Sequence, residues 1–273
     1  MKKKYLTLQE HQKILYELLY TLDDFCKEHQ IRYFLAFGTL IGAIRHHGII
    51  PWDDDVDVMM ERDEYERFEK LITKHPPRGY KAYSINNTRH YYYPFIKFGK
   101  LGTKLIEEGW KCVPKEGIGI NIDVFPIDGC PNDKNVAEEY VVTEMNKIFY
   151  NLGLWCNNGG KDFVGIRQKM YYWIRTRSLL LRCFFKKLYR DAAKYSLCDS
   201  TYYFTFWSFC GAKCLHSKKA LENQIHVPFG SRNLPIPEGY DTILREQYGD
   251  YMTPPPEKEK ESTHKHEIYI ELE

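Results

Sequence analysis

Tyr33-Phe34-Leu35-Ala36-Phe37-Gly38-Thr39, followed after a short interval by Asp55-Val56-Asp57-Val58-Met59, is the stretch on which the fold of this chain turns. Ile31 to Phe37 is a short run rich in aromatic and branched residues that stops at Gly38, the pattern of a buried strand. Thr39 to His47 reads as a short helix closed by Gly48. Asp55 to Met59 alternates acidic and apolar side chains with period two, so it predicts a second strand whose two faces differ. A strand, a glycine turn, a helix and another strand in succession predict an α/β (α+β) core.

Outward from this centre, Leu8 to Cys26 places Leu15, Leu18, Leu19, Leu22 and Phe25 at helical spacing. Asp63 caps a predicted helix reaching about Lys74, with Tyr65, Phe68, Leu71 and Ile72 on its inner side. Strand-like runs follow at Tyr80 to Ile85, Tyr91 to Phe98 and Ile118 to Phe125, separated by Gly and Pro breakers. Residues 132–224 turn helical and aromatic-rich and read as an insertion or subdomain, leaving residues 1–131 as the core. Residues 225–273 complete that core with a hairpin at Val227 to Pro237, a helix at Asp241 to Tyr248 and, after Pro254-Pro255-Pro256, a charged tail.

The 273 residues, 43% hydrophobic and 28% charged, suffice for a sizeable buried core and argue against general disorder. A net charge of +2 is too small for a nucleic-acid footprint, so no nucleic-acid partner is expected. Lys2-Lys3-Lys4 resembles the start of a signal peptide, but Gln9 to Lys13 interrupts the apolar stretch that should follow. Without an apolar run of spanning length, the sequence reads as cytoplasmic. The eight cysteines show no disulfide framework, and the cluster Cys210, Cys214 and His216 lacks the second half a zinc site needs.

Asp55 and Asp57 lie two apart on a predicted strand, so their carboxylates leave one face and can converge on a hard cation. A solvated acidic turn is the plainer alternative, since Asp53 and Asp54 adjoin the pair. Asp123, within Ile122-Asp123-Val124-Phe125, is an acid inside an apolar strand, where burial without a partner would cost several kcal/mol. It fits a third metal ligand or a general base, or else a structural Asp at a strand end. Gly38 and Thr39, between a strand and a helix, offer amides and a hydroxyl to a phosphate, with Arg45 and Lys97 as the nearest candidate cations or as plain surface charges.

Residues 33–57 resemble the LicD family, which includes bacterial phosphocholine transferases and fukutin-type phosphoribitol transferases. The resemblance continues at Tyr92 to Lys97, at Ile122 to Gly129 and from Pro237 to Met252, and lapses in residues 132–224. It implies a nucleotidyltransferase-like mixed β-sheet flanked by helices, with a helical insertion. On this resemblance Gly38 and Thr39 take the turn, Asp55, Asp57 and Asp123 share Mg²⁺ or Mn²⁺, and Asp53 matches a further family acid. The interval between Thr39 and Asp55 is longer than in the wider superfamily. The implied donor is CDP-linked, CDP-choline above all, and the acceptor a glycan or lipid-linked glycan, such as a lipopolysaccharide or teichoic acid precursor.

Trp52, Tyr91, Tyr92, Tyr93 and Trp110 are the aromatic residues placed to meet a quaternary ammonium, although with 22 tyrosines core packing accounts for most such rings. Arg175, Arg177, Arg182, Lys186, Lys187, Arg190 and Lys194 are interleaved with leucines and phenylalanines, a pattern that suits peripheral contact with an inner membrane face or a helix packed on the core. A glycosyltransferase holding a nucleotide-sugar through Asp-x-Asp, or a non-catalytic nucleotide-binding module, are the competing readings.

Overall fold

The computed structural model describes residues 2–107, 112–114, 117–156, 165–176, 178–205, 211–260 and 266–272. Strand β1 (Lys2–Tyr5) leads into helix α1 (Leu8–Glu28), which opens with a capping box. The Glu10 amide donates to the Thr7 hydroxyl at 3.2 Å and the Thr7 amide to Glu10 at 3.0 Å, satisfying two groups the first turn leaves unpaired. The chain continues through β2 (Phe34–Leu35), α2 (Phe37–Arg45), β3 (Asp57–Glu61), α3 (Arg62–Lys74), β4 (Tyr80–Tyr83), β5 (Ile96–Lys100), β6 (Thr103–Glu107) and β7 (Asn121–Gly129). Helices α4 (Lys134–Cys156), α5 (Ile166–Thr176) and α6 (Ser178–Ala192) precede β8 (Tyr202–Thr205) and β9 (His216–Ser217). The hairpin of β10 (Gln224–Phe229) and β11 (Arg232–Pro237), helix α7 (Tyr240–Tyr248) and strand β12 (His266–Leu272) follow.

The main sheet runs β2-β3-β7-β5-β4, with β8 added to β7 and β9 to β8. β3 and β7 are parallel and their other neighbours antiparallel, which gives the mixed sheet flanked by helices that the sequence implies. One face, carrying Val58, Met60, Phe98, Ile122 and Val124, packs against α1, α3 and the hairpin residues Phe229 and Leu234. The other, carrying Met59, Phe125 and Ile127, packs against Val141, Met145 and Ile148 of α4 and Leu181 and Phe185 of α6. Because side chains alternate along a strand, Asp57, Lys97 and Asp123 emerge on this second face, where β3 and β7 begin.

Several boundaries differ from the sequence reading. The first predicted strand shortens to Phe34–Leu35, and α2 starts at Phe37, whose φ of 47° is left-handed. The second starts at Asp57, so Asp55 lies in the approach to the strand instead of on it. The local cause is Thr39: its hydroxyl accepts the Asp57 amide at 2.9 Å while the Asp57 carbonyl accepts the Ala36 amide at 3.0 Å, which ties the strand's first residue to the turn before α2. Tyr91 to Pro94 is not strand; Pro94 has no amide to give a ladder, and the three tyrosines go into the core. The predicted C-terminal tail contains β12, which sits between β1 and β6 in a second sheet.

The loop after α2 folds back so closely that a Cβ on Gly42 would stand 2.4 Å from the Gly48 carbonyl oxygen. An alanine is normally preferred to glycine inside a helix by up to about 1 kcal/mol. Here the obstructing atom is backbone and cannot swing aside, so Gly42→Ala is expected to destabilise the protein by about 1–3 kcal/mol. Urea denaturation read by circular dichroism measures this, and an unchanged midpoint would contradict the packing described.

Candidate active site

Strand pairing assembles the centre of the site. Asp57 of β3 is the register partner of Asp123 of β7, and Asp123 is in turn the register partner of Lys97 of β5. Adjacent strands lie about 4.8 Å apart, so the three side chains stand in a row across the sheet. Lys97 Nζ donates to both carboxylate oxygens of Asp123, at 2.9 and 3.0 Å, and to Asn121 Oδ1 at 3.2 Å. Only 7% of Lys97 is exposed, so this ammonium acts on Asp123 from inside the protein. The sequence offers Lys97 as a cation for a phosphate or as a plain surface charge, which its burial rules out, and carries no pattern that signals Asn121.

The loop before β3 brings more acid to the same place. Asp53, Asp54 and Asp55 each offer a carboxylate oxygen within 4.8 Å of the others. Gly38 faces this group: a Cβ there would come 3.1 Å from Asp53 Oδ2, so the glycine lets the first turn of α2 approach the carboxylate. Ala36, at the N-cap, supplies no side-chain cap, and the positive end of the helix dipole favours a nearby anion. Thr39 is buried and spends its hydroxyl oxygen on the Asp57 amide, so it holds the acid's backbone in place.

The loop is pinned from α1. Gln12 Nε2 donates to the carbonyls of Ile50 at 3.1 Å and Asp53 at 2.8 Å, and the Ile49 amide donates to Tyr16 Oη at 2.9 Å. Neither Gln12 nor Tyr16 was singled out from sequence. On an amphipathic helix both look like ordinary boundary residues, and their partners lie more than thirty positions away.

Electrostatically the acids oppose one another. Asp57 is held well above the usual carboxylate range, first by burial and then by the charges of Asp55, Asp123 and Asp53, with Lys97 pulling the other way. Burial, followed by Asp55 and Asp54, pushes Asp53 up to about 8. Clustered carboxylates that repel one another, with oxygen as the sole donor type, are the chemistry that suits a hard divalent cation such as Mg²⁺ or Mn²⁺. Asp53, Asp54 and Asp55, whose oxygens lie within 4.8 Å of one another, fit such an ion, and Asp57 and Asp123 stand outside that closest group.

The remaining candidates divide. Arg45 Nη1 donates to the Tyr251 carbonyl at 2.6 Å, joining the end of α2 to the C-terminal segment. Trp52 is half-buried, with His46 edge-on at 5.6 Å and Lys260 Nζ over its ring at 5.0 Å, so this ring already faces a cation. Tyr91, Tyr92 and Tyr93 are buried among the core residues under α6, so packing accounts for them and they do not form an open cage. Trp110 and Cys210 lie outside the described residues. Cys214 is buried, and both ring nitrogens of His216 are engaged, Nδ1 with Glu246 at 2.6 Å and Nε2 with Gln247 at 3.0 Å, which speaks against a zinc site there.

The profile of the LicD/FKTN/FKRP nucleotidyltransferase domain matches residues 30–128, an interval that holds every site group from Gly38 to Asp123. Residues 30–128 are a LicD-family domain. The likeness extends further in one relative: the Haemophilus influenzae lipopolysaccharide cholinephosphotransferase LicD is 29% identical over 274 residues, 98% of this chain and 99% of that protein. The human ribitol 5-phosphate transferase FKRP is 41% identical over 59 residues, 22% of this chain and 11% of that protein. The LicD-family domain ends at Asp128, which is buried and accepts Arg62 Nε at 2.7 Å, fixing the start of α3 at the end of β7 remote from the acids.

Proposed function

We propose that this LicD-family chain moves phosphocholine, or a similar phospho-linked group, from a CDP-linked donor to a hydroxyl of a cell-surface glycan precursor or lipid-linked glycan. That it is a phosphotransferase follows from its likeness to the cholinephosphotransferase and the ribitol phosphate transferase. The observation that carries the finer reading is the row Asp57-Asp123-Lys97, set in register across three strands beside the acidic loop at Asp53 to Asp55.

Asp53, Asp55 and Asp57 would hold the divalent cation, which leaves Asp123 to act as the base. When bound, that ion supplies charge neutralisation for the donor's phosphates. The first turn of α2 would add its positive end to that neutralisation, and Gly38 lets Asp53 come close to the turn. Asp123, fixed by Lys97, takes the acceptor hydroxyl's proton on a carboxylate oxygen as that hydroxyl's oxygen bonds to the donor phosphorus. The bond from phosphorus to the bridging oxygen breaks and CMP departs with its electron pair. Positioned base catalysis of this kind contributes roughly 10²–10⁴ in rate. The Lys260 ammonium covers the Trp52 ring, so a cationic head group reaches that face only by displacing it.

A panel of CDP-linked donors incubated with a glycan acceptor and Mg²⁺ or Mn²⁺ tests the proposal. CMP release together with a new phosphodiester signal in ³¹P NMR is expected, strongest with CDP-choline. A glycosidic product without phosphorus would instead establish the nucleotide-sugar glycosyltransferase, and donor binding with no acceptor modified would establish a non-catalytic module.

A further inference from the structure

We infer that the outer face of α5 and α6 is a docking surface for an anionic phospholipid bilayer. On α6, Leu181, Phe185 and Leu188 face the core at helical spacing, yet apolar side chains continue outward from that stripe: Leu179, Leu180 and Phe184 are exposed, Leu179 by 70%. On α5, Ile166, Met170 and Trp173 recur at i, i+4 and i+7, and Ile166 is 83% exposed. Outward apolar residues on two consecutive helices leave an amphipathic surface directed away from the core.

Charge identifies what covers it. Between residues 165 and 195 the sequence carries nine Lys and Arg against one Asp, a net +8, while the whole chain is only +2. Arg167, Lys169, Lys187 and Arg190 are exposed beside the apolar residues, and the Arg175 side chain and Arg177 lie outside the described residues. A second copy of the chain would set +8 against +8, which like-charge repulsion opposes. A nucleic acid would match the cations but leave the aliphatic side chains in water. An anionic bilayer satisfies both, taking the apolar side chains at the acyl boundary and the cations at the headgroups. No helix among the described residues is long and apolar enough to cross a membrane, so the contact lies on the surface. The inference is independent of the donor and acceptor assigned above.

Co-sedimentation of the full chain with vesicles of phosphatidylcholine alone, and with about 30% phosphatidylglycerol, tests it without any activity readout. Binding to the anionic vesicles alone is expected, weakening as salt rises. The double variant Leu180→Asp/Phe184→Asp should bind at least about tenfold more weakly at an unchanged melting temperature. The milder Lys187→Glu/Arg190→Glu variant, which leaves the apolar residues intact, should also bind less and lose the salt dependence. Absence of binding to anionic vesicles, equal binding to neutral ones, or wild-type binding by both variants would overturn the inference. So would a wild-type dimer in light scattering that Leu180→Asp/Phe184→Asp converts to monomer.

Discussion

Asp57→Asn is expected to abolish phosphotransfer, lowering kcat by about 10³-fold or more, while leaving the protein as stable as before or more so. The two halves of this result have one cause. Asp57 is pressed by burial and by the charges of Asp55, Asp123 and Asp53, so a neutral amide of the same shape removes repulsion from the folded state. The same change deletes a charged oxygen from the set proposed to hold the cation, and charge stabilisation of this type is commonly the largest contribution to catalysis. Asp55→Asn should lose activity similarly. Asp128→Asn supplies the contrast: it breaks the buried pair with Arg62 at the other end of the sheet and should reduce stability by about 3–5 kcal/mol. Steady-state kinetics and urea denaturation of the three variants check the pattern. Near-normal turnover by Asp57→Asn would remove the acid row from the mechanism.

In metal-free buffer the protein should become less stable as pH rises from about 4 to about 8, and Mg²⁺ or Mn²⁺ should restore most of the loss. Asp53 has its folded pKa pushed up to about 8, against an ordinary value of 3.8. Between those two values the folded state binds more protons than the unfolded chain, so the derivative of stability with pH is negative. Asp57, displaced in the same direction, adds to the slope. Solvent screening and mutual coupling limit the total, and a loss of about 1–3 kcal/mol is the expected scale. A cation among the carboxylates reverses the preference for protonation, so its affinity should rise with pH over the same window. Melting curves at pH 5 and pH 8, each with EDTA or with added metal, decide the matter. A metal-independent Tm at pH 8 would count against a cation at these residues.

The sequence made the fold legible where local pattern and tertiary environment agree. The apolar stripe of α1 reflects one-sided burial that a single segment can display, and the apolar run from Val58 to Met60 reflects a strand covered on both faces. Legibility failed where pairing over distance decides. Lys97 stands out in the sequence as a cation, but only the β5–β7 register shows that it pairs with Asp123. Gln12 and Tyr16 hold the acidic loop through backbone groups, and such groups leave no trace in side-chain spacing. For the tyrosines at 91–93 the structure decides for core packing, because aromatic composition alone does not distinguish an open cage from a packed core. The segment 132–224 looked separate because its periodicity is helical, yet β8 pairs with β7 and α4 packs on the sheet.

Strand β12 lies between β1 and β6, with Leu272 opposite Lys2 and His266 opposite Glu107. Residues 266–272 are synthesised long after Lys2 to Tyr5, so the β1–β12 ladder cannot form until they have emerged from the ribosome. The contact is among the least local in the chain, and closing so large a loop is entropically slow compared with forming the neighbouring helices. The β1 edge therefore waits exposed during translation, and its run of three lysines is the kind of charge that discourages an unpaired strand from aggregating in the meantime.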